Sequence, residues 1–176
     1  MAVFSYQDDC AILQVNFNVN PMKQYRTIII LAVIALCNAA YLSYKAYYFR
    51  YVDPLGLTSF CDFSNFNSCS EVLRHPLSSV FGIPFPWVAL LVYPILLALA
   101  WYGYRHQSYT QAKALAVLSF LGMCFNGFII YREILFIKAF CLLCFICTLI
   151  IISIFFLSLS LLKEAKRKAS VPLTEV

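Results

Sequence analysis

Charge is what this sequence most lacks. Only 12% of its 176 residues are Asp, Glu, Lys or Arg, while 62% are hydrophobic; a water-soluble domain carries about a quarter charged residues. The shortage excludes an aqueous globular domain. No stretch alternates polar and apolar residues as a barrel strand does, which excludes a transmembrane β-barrel. No polar domain carries an aromatic-interleaved basic patch, so the formal net charge of +5 does not point to nucleic acid. It reads as a topology signal, with attraction to anionic membrane lipid as a second effect. There is no internal repeat and no low-complexity tract. No second C-x2-C knuckle and no histidine at ligand spacing completes a zinc site, so no metal is expected. A cleaved leader is not expected either. Lys23 and Arg26 precede the first apolar run, but a further stretch of chain precedes them, and no small-residue cleavage site follows.

What is present is long apolar runs, four of them. They cover Tyr25 to Tyr47, Pro84 to Tyr104, roughly Ala112 to Tyr131, and Leu135 to Leu162. Each is near the ~20 residues that cross ~30 Å of hydrocarbon. Trp87, Trp101 and the tyrosines Tyr41, Tyr44, Tyr47 and Tyr48 fall at run ends, where aromatic belts belong. The fold class predicted is all-α and integral to a membrane. It is a four-transmembrane-helix bundle with a cysteine-containing external loop and half-helix between spans one and two. The chain divides into a cytoplasmic N-terminal segment 1–24, a membrane domain 25–162 with its external loop at about 50–84, and a basic cytoplasmic tail 163–176. An even number of spans puts both termini on one side. That side would hold Lys23, Arg26, Arg105, Lys113, Lys163, Lys166, Arg167 and Lys168, against Lys45, Arg50, Arg74, Arg132 and Lys138 opposite. The positive-inside rule makes it the cytoplasm.

The external loop carries Cys61 and Cys69, spaced C-x7-C. On the oxidising side of a membrane such a pair forms a disulfide. A structural staple of about 2–3 kcal/mol and an exchanging redox pair both remain open on this spacing alone. After Cys69, "SEVLRH" predicts a short helix ended by Pro76. The second pair, Cys141 and Cys144, sits in "FIKAFCLLCFIC". From Cys141 to Leu162 a helix rises roughly 32 Å, about the hydrocarbon thickness. With Lys163 at the inner face, Cys141 falls at the outer boundary and Cys144 one turn deeper. Residues three apart share a helix face, so the two can form or exchange a disulfide. The start of a helix favours negative charge, and Lys138 stands one turn before. Cys147 continues the stripe and reads as packing. Cys10, Cys37 and Cys124 read as inert buried or cytosolic thiols.

Two pairs on one side, one in water and one at the edge of the lipid, suggest an electron relay. The loop pair meets a soluble dithiol and exchanges with the helix pair through a mixed disulfide. The helix pair then needs an apolar two-electron acceptor, and a quinone fits.

Together "CDFSNFNSC" after span one, "SSVFGIP" leading into span two and "YREILFIKAFCLLC" leading into span four resemble the vitamin K epoxide reductase family, in its prokaryotic disulfide-oxidase branch, over about residues 25 to 160. The other quinone-linked disulfide-oxidase family is less similar, since its C-x2-C lies in its first external loop. The resemblance implies roles. Cys61 exchanges with a thioredoxin-fold partner. Cys69 shuttles electrons through a transient Cys69–Cys141 disulfide, and Cys144 faces the quinone. Ser78 and Phe81 fall where the family places head-group contacts. His75 replaces a serine of many members, and Thr148 replaces a tyrosine of the animal enzymes. Ser78 stands for their asparagine. These departures argue against assuming epoxide reduction.

The expected function is therefore a quinone-dependent protein-disulfide oxidoreductase. Its quinone would be ubiquinone or menaquinone. Its partner would be a separate periplasmic or secreted dithiol protein, because the chain ends soon after "KEAKRK" where many members carry a fused thioredoxin-like domain. The expected place is a bacterial inner membrane, with the active cysteines at the external face. Quinone-epoxide reduction is the alternative chemistry, and a four-span scaffold with a structural loop disulfide is the non-enzymatic one.

Overall fold

The computed structural model describes residues 20–52, 62, 68–80 and 82–170. Cys10, Cys61 and Phe81 lie outside the described residues, as does most of the N-terminal segment. Four helices are long and apolar enough to cross a membrane: α1, Pro21–Tyr51; α3, Phe85–His106; α4, Tyr109–Arg132, continued by a π turn Glu133–Ile137; and α5, Leu142–Ser170. A short helix α2, Cys69–Arg74, lies between the first two. The chain is thus the all-α four-helix membrane bundle that its composition demands.

Packing closes a ring. α1 lies against α3, α3 against α4, α4 against α5, and α5 back against α1. In lipid, helices gain little from the hydrophobic effect and pack instead through close backbone approach. The sequence supplies for this a stripe of alanines on α1: Ala32, Ala35, Ala39 and Ala46 are all buried. Gly103 on α3 meets Tyr25 of α1, where an added Cβ would stand 2.5 Å from the ring. Asn20 caps α1, its side chain accepting the Met22 N–H at 3.2 Å, with Pro21 in the first turn.

α1 is the longest span, about 45 Å at 1.5 Å per residue, so its last turns rise past the hydrocarbon. There Phe49 is buried under the Arg74 guanidinium at 4.5 Å and the Lys45 ammonium at 5.6 Å. This seats α2 on the end of α1. Ser68 caps α2 by accepting the Glu71 N–H at 3.3 Å, and Pro76 follows its end as predicted. The "SSVFGIP" stretch is a small antiparallel hairpin. β1, Ser79–Val80, pairs with β2, Ile83–Pro84, through a turn in which Gly82 takes φ +79, a conformation glycine adopts without a Cβ penalty.

The passage from span three to span four departs from expectation. The turn was expected at about Arg132 to Ile134, with the fourth span starting at Leu135. Instead Glu133–Ile137 extends α4, the chain reverses at Lys138 with φ +56, and α5 starts at Leu142. Leu135 and Phe136 are exposed apolar residues of the third span. Hydropathy cannot assign such residues to one helix or the other, because both sides of the turn are apolar. A second departure concerns Cys37 and Cys124. Neither is buried or cytosolic; both are exposed within membrane-spanning helices, on the surface that would meet lipid.

Candidate functional site

The end of the bundle that carries α2 has its own apolar cluster, separate from the core between the spans. It holds Phe49, Cys69, Val72, Phe85, Cys141 and Cys144, among others. Cys147 belongs to the deeper cluster with Ile28, Tyr93 and Ile154. The two redox candidates of α5 thus lie above the main core, and the third cysteine lies within it.

Cys69 opens α2 and is fully buried. The carboxylate of Asp62 fixes its surroundings, accepting hydrogen bonds from the Ser68 hydroxyl, the Ser70 N–H and the Ser70 hydroxyl. Asp62 is the residue that follows Cys61. Cys69 itself is disulfide-bonded. Cys141 and Cys144 are free thiols.

The junction before α5 places Cys141. Cys141 is the last residue before the helix. Its carbonyl accepts the Phe145 N–H at 3.0 Å, the first helical bond, and its Sγ accepts the Cys144 N–H at 3.3 Å. The sulfur therefore plays the part an N-cap oxygen usually plays. The same sulfur lies 3.3 Å from Cys69 Sγ, although the two residues are 72 positions apart. Two cysteines far apart in the sequence are in contact, and both are fully buried.

The remaining predicted residues divide. Thr148 is buried, its hydroxyl donating to the Cys144 carbonyl at 3.0 Å. The Ser78 hydroxyl is also buried and donates to the His75 carbonyl at 2.7 Å. His75 ends α2 and lines a small cavity of about 50 Å³ with Arg50, Arg74 and Ser78. A larger, mostly apolar cavity of about 300 Å³ opens between α3 and α4, lined by Val88, Val92, Tyr93, Leu118, Phe125 and Asn126 among others. Ser78, His75 and Thr148 do not line it. It touches α5 at Ile151, and Tyr93 in its wall donates its hydroxyl to the Cys147 carbonyl at 3.4 Å.

Three side chains at the site were not singled out from the sequence. Asn38 of α1 donates to the Leu143 carbonyl at 2.9 Å and to Cys147 Sγ at 3.2 Å, so the third cysteine is held as a packing partner. Tyr93 joins the large cavity to the same turn of α5. Glu133 is buried below Cys141, whose N–H donates to its Oε2 at 3.4 Å. For Glu133 a signal existed: an acidic residue inside an apolar run is a functional-site hypothesis by default. For Asn38 and Tyr93 the signal was weak, since polar side chains along a span are common at helix interfaces. Among the described residues no group of three or more His, Cys, Asp or Glu is placed to hold a metal ion.

Residues 26–159 match the family model described as "Vitamin K epoxide reductase family". No curated protein matches the chain.

Proposed function

The chain belongs to the vitamin K epoxide reductase family, whose members are membrane oxidoreductases, and from that premise we propose that it oxidises a thioredoxin-fold dithiol on another polypeptide and passes the electrons to a quinone. The partner's dithiol reduces the Cys61–Cys69 disulfide. The Cys69 thiolate attacks Cys141 of a Cys141–Cys144 disulfide, forming Cys69–Cys141 and releasing Cys144 as thiolate. Cys61 then attacks Cys69, which closes the loop disulfide and frees Cys141. Cys141 and Cys144 finally give two electrons to the quinone, which takes two protons to become quinol, and their disulfide re-forms. Each exchange makes one S–S bond and breaks one.

The observation that carries this reading is the 3.3 Å contact between Cys69 Sγ and Cys141 Sγ. A purely structural loop disulfide has no reason to touch a membrane-helix thiol. The bonding state supports it as well: Cys69 is oxidised while Cys141 and Cys144 are thiols, the state the cycle reaches just before quinone arrives. The 300 Å³ cavity suits the start of a prenyl tail, because it is mostly apolar and Tyr93 links it to the turn of α5 next to Cys144. Ser78, Phe81, His75 and Thr148 are proposed to border the head group. Ser78 and Thr148 would donate to it only by turning their hydroxyls away from backbone carbonyls. The cysteines work at the external face of a bacterial inner membrane, with both termini in the cytoplasm.

The test is a trap. In a Cys144→Ala chain kept free of added reductant, the Cys141 thiolate should attack Cys69 of the Cys61–Cys69 disulfide and release Cys61 as a thiol, leaving a Cys69–Cys141 disulfide seen by mass spectrometry of the digested protein. A Cys144→Ala chain that shows no such bridge, and still turns over quinone, rules the path out. Wild-type protein supplied with a quinone or with its epoxide distinguishes disulfide oxidation from epoxide reduction.

A further inference from the structure

Glu133 is the only acidic side chain that is buried among the described residues, at 1% exposure. A carboxyl group at this depth normally has a cation or a full set of donors, because unpaired buried polar oxygen costs free energy. Glu133 has neither. Its Oε2 accepts the Cys141 N–H at 3.4 Å, and its Oε1 has no partner. The nearby cations are turned away: the Arg132 guanidinium lies 5.6 Å over the Phe128 ring, and Lys138 is exposed. The 3₁₀ turn Pro76–Ser78, which packs on the π turn, brings no ionisable side chain. The ionisable groups that face the carboxyl are the thiols of α5's first turn, with the Cys144 side chain beside it. The residue stands on a π turn rather than in regular α-helix, a feature often found at functional sites.

We propose that Glu133 exchanges a proton with Cys144, holding one proton whenever Cys141–Cys144 is a disulfide and returning it when the pair is reduced. The inference rests on the electron path proposed above and assigns a proton path to it. In the oxidising half, the Cys144 thiol gives its proton to Glu133 Oε1 and its electrons go towards the quinone. The Cys141 thiol proton and one proton from water complete the quinol, and the sulfurs join. In the reducing half, Cys69 attacks Cys141, and Cys144 takes the proton back from Glu133 as it leaves. When Cys61 then closes the loop disulfide, Cys141 is reprotonated from the loop dithiol, whose second proton passes to water. Over a full cycle two electrons and two protons move from dithiol to quinone, and Glu133 is unchanged.

Glu133→Gln tests this, since glutamine keeps the shape and an oxygen for the Cys141 N–H but carries no proton. The full chain is placed in lipid nanodiscs with dithiothreitol and a short-tailed ubiquinone. Quinol formation should fall by about 100-fold or more, while in samples without dithiothreitol the Cys69–Cys141 bridge still forms in the Cys144→Ala background. A Gln chain as fast as wild type overturns the proton role and leaves the electron path standing. Wild type that makes no quinol removes the electron path, and this inference with it. A second measurement needs no variant. Infrared difference spectra of wild type should show a protonated-carboxyl band rising as the helix pair is oxidised and falling as it is reduced. Spectra without that band overturn the proposal, whether or not the Gln chain folds.

Discussion

At Cys141 one sulfur serves two neighbours, accepting the Cys144 N–H and touching Cys69. Capping and exchange can be separated by Cys141→Ser. The serine oxygen still caps α5, so thermal unfolding in detergent should change by no more than about 1 kcal/mol, while turnover is lost because no disulfide can form. A serine chain that keeps turning over would remove Cys141 from the path. Cys147 should behave in the opposite way. Its sulfur receives Asn38 and lies in the mid-membrane core, so Cys147→Ala should keep turnover near wild type. Asn38→Leu removes two hydrogen bonds between α1 and α5. It should lower stability by about 1 kcal/mol, the scale of such bonds within a bilayer. Equal melting of Asn38→Leu and wild type would mean that those bonds add nothing beyond what the unfolded chain finds in lipid.

At the scale of elements, the turn between α4 and α5 decides where the sulfurs stand. Lys138 holds φ +56, which glycine tolerates and proline, fixed near −65°, cannot adopt. Lys138→Gly should leave turnover intact and unfolding unchanged or raised. Lys138→Pro should displace Cys141 and abolish the Cys69–Cys141 trap even where the helices still insert. Comparable trapping in both variants would mean that the turn does not position the cysteine. The ends of α1 and α3 away from α2 are set by a close approach. Gly103→Ala places a methyl group against the Tyr25 ring, and the overpacking should cost about 1–3 kcal/mol, read as a lower melting temperature. The effect should be confined to stability, since Tyr25 lies at the far end of the bundle from the sulfurs.

For the whole molecule, the arrangement demands one sidedness. α2, the hairpin and the start of α5 share one end of the bundle, and the turn between α3 and α4 lies at the other. With termini inside, a cysteine at Ile83→Cys should react in intact cells with a membrane-impermeant maleimide. One at His106→Cys should react only after permeabilisation. The reverse pattern would invert the topology and put the exchange chemistry in a reducing compartment, where a loop disulfide would not persist.

Composition and run length alone determined the membrane class, the number of spans and the place of the C-x2-C at the start of the fourth span, because a bilayer imposes one length and one polarity on whatever crosses it. The short helix after Cys69 was legible for a similar local reason: Ser68 and Pro76 mark its ends within a few residues. The boundary of the fourth span was not legible, since "EILFIKAF" is apolar on both sides of the reversal at Lys138. Nor was the isolation of the Glu133 carboxyl or the capture of Cys147 by Asn38, and the placing of Cys69 against Cys141 was implied by the family resemblance alone, not by any spacing. Those facts belong to tertiary structure. They depend on how close α1, α2 and α5 come, and that closeness is set by alanines, one glycine and one cation–aromatic seat acting together across the fold.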